Sequence, residues 1–250
     1  MRVLVDNLIT EYQDEGSGPI ILLLHGWGDN LRTFDALVPH LSSTRRIIRL
    51  DLPSFGKSEA PGKPWSLDDY VQFVADFIKK IDVSVDVLVG HSFGGRVAIK
   101  GISTNKLSAR KIILMGSAGI ARRRTFRNTA FAVLAKIGKI LVLVPPLFFW
   151  RQELRRALYS FAGSDYVSSG ALKETFLRVI AEDLGPSAEQ IAVPTLLIWG
   201  ANDTETPLSD GKRLSHMICN SRLEVIEGAG HFVHRDHPEK VARLMRELYE

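Results

Sequence analysis

The sequence has very little cysteine: Cys219 is the single one among 250 residues. One thiol cannot form an internal disulfide, and it supplies no cysteine cluster that could hold a metal ion. The first six residues already include an acid, and they lack the apolar core and cleavage site of a secretory signal peptide. These absences predict a cytoplasmic location, with Cys219 as a small buried apolar side chain.

The sequence also lacks an apolar run that is long enough to cross a membrane. The longest candidate, 130–144, is interrupted by Lys136 and Lys139 and is followed by two prolines. Positive charge is concentrated in one segment. Residues 120–160 hold nine Lys and Arg side chains but only one acid, whereas the net charge of the whole chain is +4. We therefore expect no nucleic-acid partner and no stable membrane insertion, while transient contact of this basic segment with a membrane surface stays open.

Short apolar runs alternate with helical patterns over most of the chain. The runs predict one strand or a hairpin at 3–12 and strands at 20–24, 46–50, 85–89, 111–115, 195–199 and 222–227. Helical spacing or capping residues indicate helices at 31–41, 66–81, 96–100, 207–218 and 238–250. This alternation predicts an α/β fold with a mostly parallel central sheet and helices on both faces.

The alternation stops between residues 120 and 190. This segment contains the basic cluster, the long apolar run and an amphipathic helical pattern over 169–184, closed by Gly185-Pro186, but no strand of the parallel sheet. We expect 120–190 to be a helical cap inserted into one core domain that is formed by 1–119 and 191–250.

One turn stands out, Gly90-His-Ser-Phe-Gly94, because it joins the strand at 85–89 to a helix. A serine at the apex of such a turn has a strained backbone and needs small neighbours, which Gly90 and Gly94 provide. The turn lifts the Ser92 hydroxyl off the sheet, close to a helix N-terminus where a developing anion is stabilised. Ser92 is therefore the candidate nucleophile.

A serine hydroxyl needs a base within hydrogen-bond reach, and the base needs an acid to orient it. Parallel strands present their carboxyl ends at one edge of the sheet, so the partners should follow strands. Asp203 follows the strand at 195–199, and His231 follows the strand at 222–227. They are the candidate acid and base.

Other assignments of these roles stay open. Glu205 could replace Asp203 as the acid, and His234 or His237 could replace His231 as the base. The group His231, His234, Asp236 and His237 also contains metal-ligand types, but the sequence offers no matching ligand set elsewhere.

The motifs and their order resemble the α/β-hydrolase superfamily over essentially the whole chain. The resemblance rests on His25-Gly-Trp27, Asp51-x-Pro-x-Phe-Gly-x-Ser58, Gly90-His-Ser-Phe-Gly-Gly95, Trp199-Gly-x-x-Asp203 and Gly230-His231. It implies a nucleophile elbow at Ser92, a triad completed by His231 and Asp203, and no cofactor or metal. It also implies an oxyanion hole formed by the backbone N–H groups of Trp27 and Phe93.

The resemblance implies a serine hydrolase, and the apolar run of the predicted cap favours carboxylic esters of small to medium apolar acyl groups, cleaved through an acyl-enzyme. We expect substrate contacts from His25, Phe131, Leu134 and Leu141. Packing within the cap is the commonest reason for such an apolar run, and it is compatible with lining an acyl pocket. Arg122, Arg123 and Arg124 form either a solvated face or a contact for anionic groups. The partner is then a small-molecule ester, and the chain is a monomer or a homodimer.

Two other functions stay open. The first is a C–C bond hydrolase of a ring-fission-type diketo acid, with a cap arginine holding the substrate carboxylate. The C–C hydrolases of this superfamily usually have asparagine before the serine, whereas this chain has His91. The second is a ligand-binding receptor without catalysis on the same fold, since fold alone does not decide function.

Overall fold

The computed structural model describes residues 1–120 and 172–249. Within these ranges one sheet has the strand order β1-β2-β4-β3-β5-β6-β7-β8. The strands are β1 (Arg2–Val5), β2 (Leu8–Glu15), β3 (Ile20–Leu24), β4 (Arg46–Leu50), β5 (Val85–His91), β6 (Lys111–Met115), β7 (Thr195–Gly200) and β8 (Ser221–Ile226). β2 pairs antiparallel with β1 and β4, and the pairs from β4 through to β8 are parallel. The predicted α/β fold is confirmed.

Helices connect and cover the strands. The described ones are α1 (Leu67–Lys80), α2 (Phe93–Ser103), α3 (Lys173–Ala181), α4 (Gly185–Glu189), α5 (Leu208–Met217), α6 (Val233–Asp236) and α7 (Pro238–Tyr249). The start of α1 is fixed by a reciprocal capping box between Ser66 and Asp69. Strand β3 is buried along its whole length, as expected for a parallel strand that is covered on both faces.

Three local predictions differ from the structure. The helical pattern at 31–41 forms two short 3-10 helices, Leu31–Phe34 and Val38–His40, because Pro39 has no N–H to donate and crowds the preceding turn. Gly185-Pro186 opens α4 instead of ending helical structure, since proline is favoured in a first turn. Cys219 is exposed, so the prediction that it is buried was wrong. It lies in the turn before β8, where Ile218 takes the buried position.

The contacts divide the chain into two compact units, 1–121 with 174–250, and 122–173. The sheet belongs to the first unit. The predicted cap at 120–190 and its core boundaries remain predictions, and the cap residues Phe131, Leu134, Leu141 and Arg122 to Arg124 lie outside the described residues. In residues 1–120 and 172–249, no helix has the length and apolarity of a membrane span.

Candidate active site

Ser92 lies at a strained turn between β5 and α2. Its backbone has φ 50° and ψ −109°, a conformation that costs a non-glycine residue roughly 1–3 kcal/mol and persists only where neighbours impose it. Here the Ser92 N–H donates to the Met115 carbonyl, and the Ser92 carbonyl accepts from the Ala118 N–H, both at 3.1 Å. The end of β6 thus holds the turn on both sides.

The loop after β3 packs directly on this turn. The Gly94 N–H donates to the His25 carbonyl at 3.0 Å, and a side chain at Gly94 would overlap the backbone of Leu24. A Cβ on Gly26 would lie 3.3 Å from the Cβ of Ser92. Close approach of the two backbones therefore places the residue after Gly26, Trp27, beside the candidate nucleophile.

The Trp27 and Phe93 amides are the predicted oxyanion-hole donors. Among the hydrogen bonds between described residues, none uses the N–H of Trp27 or Phe93. The two side chains pack edge to face with ring centroids 5.3 Å apart. Trp27 and Phe93 lie on the two segments that meet at Ser92, and the role of their amides as oxyanion-hole donors remains a prediction.

Asp203 and His231 form a direct hydrogen bond. His231 Nδ1 lies 2.8 Å from Asp203 Oδ2, and the two residues are only 7% and 6% exposed. A carboxylate accepts and cannot donate, so Nδ1 carries the proton of the neutral ring. Nε2 is then the nitrogen with the free lone pair. This is the tautomer that can accept a proton from a serine hydroxyl.

The loop after β7 holds the Asp203 carboxylate in place. The N–H groups of Glu205 and Thr206 donate to Oδ1, each at 2.9 Å. Burial raises the pKa of the Asp203 carboxyl, but the hydrogen bonds and charge of His231 and the bonds from Thr206 outweigh it, so the net pKa is lowered. Asp203 is therefore an anion at neutral pH.

The residues considered as an alternative acid or base do not contact His231 Nδ1 as Asp203 does. Glu205 Oε2 lies 3.6 Å from His231 Nε2, on the opposite side of the ring from Asp203, and its side chain is 45% exposed. His234 is fully buried and bonds Thr33 Oγ1 at 2.9 Å. The carbonyl of His237 accepts a hydrogen bond in the first turn of α7. In the described ranges, no group of three or more His, Cys, Asp or Glu residues is placed to hold a metal ion.

His91 connects the turn at Ser92 to His231. Its ring centroid is 4.7 Å from that of His231, and its Nε2 donates to the His231 carbonyl at 3.2 Å. Gly116, just after β6, also lies against the Asp203–His231 pair, because a Cβ on it would lie 3.1 Å from both Asp203 Oδ2 and His231 Nδ1. The ends of β5, β6 and β7 and the loop after β8 thus gather Ser92, His231 and Asp203 at one edge of the sheet.

The structure gives His25 a different environment from the predicted substrate contact. Its ring is fully buried, Nε2 accepts from the Leu52 N–H at 2.9 Å, and Nδ1 donates to the Gly26 carbonyl at 2.7 Å. Both nitrogens are engaged within the protein, so His25 holds the loop that carries Trp27.

Sequence reasoning missed an aromatic cluster beside Ser92. Trp27 contacts the rings of Phe55 and Phe176 at centroid distances of 5.0 and 5.1 Å, in addition to that of Phe93. Phe55 lies within a motif that the resemblance already included. Phe176 lies in an amphipathic helix, and nothing in that pattern distinguishes a residue at a site from one in the core.

Three buried histidines are held neutral around the site. Burial lowers the pKa of His25, and it lowers that of His91 well below its ordinary value, with His234 and His231 adding repulsion. Burial, with repulsion from Arg235 and His231, lowers the pKa of His234 to about 3. Unfolding exposes these rings, which then bind protons near pH 6.5.

We expect acid to destabilise the fold through these histidines. Because their folded pKa values lie below the unfolded value, the unfolded state binds more protons below pH 6.5, and stability falls from there toward pH 3. The slope is about 1.4 kcal/mol per pH unit for each histidine that stays neutral. Urea unfolding at a series of pH values from 7.5 to 5 measures it.

His234→Gln removes one histidine that takes up a proton on unfolding, so it should reduce the slope by about 1.4 kcal/mol per pH unit. His216→Gln should leave the slope unchanged. His216 is the matched control, because it is exposed and lies on α5. Equal slopes in wild type and His234→Gln would contradict the neutral state of the buried ring.

Comparison with known proteins agrees with this geometry. Residues 21–244 match the model of the alpha/beta hydrolase family. A 2-hydroxymuconate semialdehyde hydrolase of Pseudomonas sp. (strain CF600) is 26% identical over 260 residues, covering 98% of this chain and 91% of that protein. A bacterial membrane phospholipase A has a TM-score of 0.78 at 25% identity, over 100% of this chain and 84% of that one. The structure of an esterase from Exiguobacterium antarcticum matches with a TM-score of 0.77 at 24% identity, covering 100% of this chain and 99% of that one. Since the family model spans most of the sequence, the chain belongs to the alpha/beta hydrolase family.

Proposed function

We propose that this hydrolase cleaves carboxylic esters of small to medium apolar acyl groups, with Ser92 as nucleophile, His231 as base and Asp203 as acid. The observation that carries the proposal is the 2.8 Å contact between His231 Nδ1 and Asp203 Oδ2 at the sheet edge where Ser92 lies. That contact leaves Nε2 unprotonated, so the ring can accept the proton of a serine hydroxyl.

The reaction follows from these positions. Ser92 Oγ attacks the ester carbonyl carbon while Nε2 of His231 accepts the hydroxyl proton, and the N–H groups of Trp27 and Phe93 donate to the oxyanion. The C–O bond to the alcohol breaks as His231 returns its proton to the leaving oxygen. Water then attacks the acyl-enzyme with His231 as base, which releases the acid and restores Ser92.

The aromatic cluster supports an apolar substrate. Trp27 and Phe176 are partly exposed, whereas Phe55 and Phe93 are buried behind them. Their rings present an apolar wall next to Ser92. Burying a hydrocarbon chain against this wall is favourable, whereas the rings offer neither a hydrogen bond nor a counter-ion to a substrate carboxylate.

Helix α3 holds Phe176 firmly against Trp27. Thr175 Oγ1 accepts from the Trp65 N–H at 3.2 Å. The buried Arg96, on the helix that follows Ser92, donates to the Val179 and Glu182 carbonyls, each at 2.6 Å. The position of Phe176 is therefore fixed relative to the nucleophile helix, and it can set the size of the acyl site.

A second candidate is C–C bond hydrolysis of a diketo acid. It is favoured by the relative that is a 2-hydroxymuconate semialdehyde hydrolase, and it can use the same three residues. It needs a cation for the substrate carboxylate, and Arg122 to Arg124 of the predicted cap would supply it. Assaying a ring-fission diketo acid beside neutral esters separates the two functions, because the preferred class has the higher kcat/KM.

The experiment is a series of p-nitrophenyl esters of increasing chain length with wild type, Phe176→Ala and Leu177→Ala. For wild type, kcat/KM should rise about fourfold per methylene until the site is full, since each buried methylene contributes about 0.8 kcal/mol. Phe176→Ala removes a ring from the wall, so its optimum should shift to chains longer by about one to three carbons.

Leu177→Ala is the matched control, because Leu177 is the next residue on α3 and its side chain is 43% exposed. Its optimum should equal that of wild type, and a fluorophosphonate probe should label all three proteins at similar rates. An unchanged optimum in Phe176→Ala would remove this helix from the acyl site. Absence of labelling and of ester turnover in wild type would favour the receptor without catalysis.

A further inference from the structure

Thr206 touches both members of the acid–base pair. Its Oγ1 lies 2.9 Å from Asp203 Oδ2 and 3.2 Å from His231 Nδ1. The same oxygen lies 2.9 Å from the carbonyl oxygen of Gly116, just after β6. Thr206 is only 8% exposed, so its hydroxyl meets these groups inside the protein, where bulk water does not compete for them.

The Thr206 hydroxyl has one proton and two acceptors for it. Neither Asp203 Oδ2 nor the Gly116 carbonyl carries a proton of its own at neutral pH, and the charged carboxylate is the stronger acceptor. The lone pairs of Oγ1 are then free to face the Nδ1–H of His231. The hydroxyl can therefore support Asp203 and His231 at the same time.

We propose that Thr206 is a positioning residue, whose hydroxyl fixes Asp203 Oδ2 against His231 Nδ1 and so keeps Nε2 free to accept the Ser92 proton. The inference rests on the function proposed above and extends it to a residue that does not touch the substrate. When His231 becomes positively charged during the reaction, its Nδ1–H bonds Asp203 more strongly, and the Thr206 hydroxyl holds Oδ2 in the position that this bond needs.

The side chain of Thr206 acts on a different oxygen from its backbone. The N–H groups of Glu205 and Thr206 hold Oδ1, and Trp199 Nε1 donates to the Thr206 carbonyl at 2.8 Å. A substitution at 206 preserves all three of these bonds. The hydroxyl contacts Oδ2, the oxygen that faces the imidazole, so its contribution can be measured separately.

The neighbouring Gly116 leaves the space that this arrangement needs. Its φ is +48°, and a Cβ there would lie 3.1 Å from Asp203 Oδ2 and from His231 Nδ1, closer than ordinary van der Waals contact. The carbonyl of Gly116 can therefore reach the Thr206 hydroxyl while its Cα lies against the acid–base pair.

The test compares Thr206→Val, which keeps the branched shape, with Thr206→Ser, which keeps the hydroxyl. On the best p-nitrophenyl ester, Thr206→Val should lower kcat about 10- to 160-fold, the range expected for losing a hydrogen bond to a charged group, with KM changed less than threefold. Thr206→Ser should stay within threefold of wild type. A merely structural role for the methyl group would give the opposite order.

A second readout is the proton resonance of His231 Nδ1–H in the resting enzyme, assigned by its loss in His231→Gln. Thr206→Val should shift it upfield or broaden it, because the bond to Asp203 is less well fixed, and Thr206→Ser should restore it. If Thr206→Val fails to fold, Thr206→Ala compared with Thr206→Ser gives the same contrast between absence and presence of the hydroxyl.

Two results would overturn the inference: a folded Thr206→Val with kcat within twofold of wild type and an unchanged resonance, or a Thr206→Ser as impaired as Thr206→Val. Failure of the proposed function looks different. In that case wild type would show no Ser92-dependent ester turnover, while the resonance would still report whether Thr206 positions the pair.

Discussion

Ser92→Ala is expected to lower kcat for ester hydrolysis by at least about 10³-fold. In the proposed reaction the hydroxyl oxygen forms the covalent bond to the acyl group, and alanine has no atom that can replace it. The substituted protein should still fold, because Ser92 is partly exposed and the turn is held by its backbone bonds to Met115 and Ala118. Steady-state kinetics and thermal unfolding of the same preparation measure both effects.

Ser103→Ala is the matched control, since Ser103 lies at the other end of α2 and its hydroxyl bonds only the Lys100 carbonyl among the described contacts. A fluorophosphonate probe should label wild type and Ser103→Ala and leave Ser92→Ala unlabelled. Near-native turnover by folded Ser92→Ala would show that the nucleophile is another residue.

Asp203→Asn is expected to lower kcat by about 10² to 10⁴. The asparagine amide can donate to Nδ1, which would place the ring proton on Nε2 and remove the lone pair that accepts the Ser92 proton. Substrate binding should persist, because Asp203 is buried behind the ring and faces the loop after β7. The effect should therefore appear in kcat with a small change in KM.

Glu205→Gln tests the alternative acid in the same assay. The Glu205 carboxylate lies near Nε2 and not near Nδ1, so its loss should cost less than that of Asp203. A mild effect in Asp203→Asn combined with a severe one in Glu205→Gln would move the role of acid two residues along the chain.

The substitutions Ser92→Ala and Asp203→Asn also separate catalysis from binding. A receptor built on this fold would bind ligand equally well in both variants, because neither change alters the aromatic wall formed by Trp27 and Phe176. An enzyme loses turnover in both variants while retaining affinity for a product acid, which calorimetry with the carboxylic acid of the best ester can measure.

The fold was predictable because its determinants are local and repeated. Five consecutive apolar residues from Ile20 predict a strand buried on both faces, and glycines around Ser92 predict a sharp turn between strand and helix. The hairpin at the N-terminus also follows locally, since Asp6 and Asn7 take the positive φ values of a two-residue turn. The spacing at 31–41 was misleading because it marks a buried face without fixing the helix type.

The members of the candidate site were predictable for a geometric reason. Parallel strands end at one edge, so residues that follow strands far apart in the sequence are brought together there. The sequence alone could not choose between Asp203 and Glu205, because both lie in the same loop. Only the path of that loop, with the N–H groups of Glu205 and Thr206 directed at Asp203, decides which carboxylate meets Nδ1.

By itself, the sequence determined the α/β architecture and the order in which Ser92, Asp203 and His231 follow their strands. The tertiary structure alone decided which side chains surround them. Phe176 meets Trp27 although the two residues lie far apart in the sequence, and burial, which no local pattern specifies, holds His91 and His234 neutral. Strand and turn formation depends on neighbours along the chain, whereas ring contacts and protonation depend on neighbours in space.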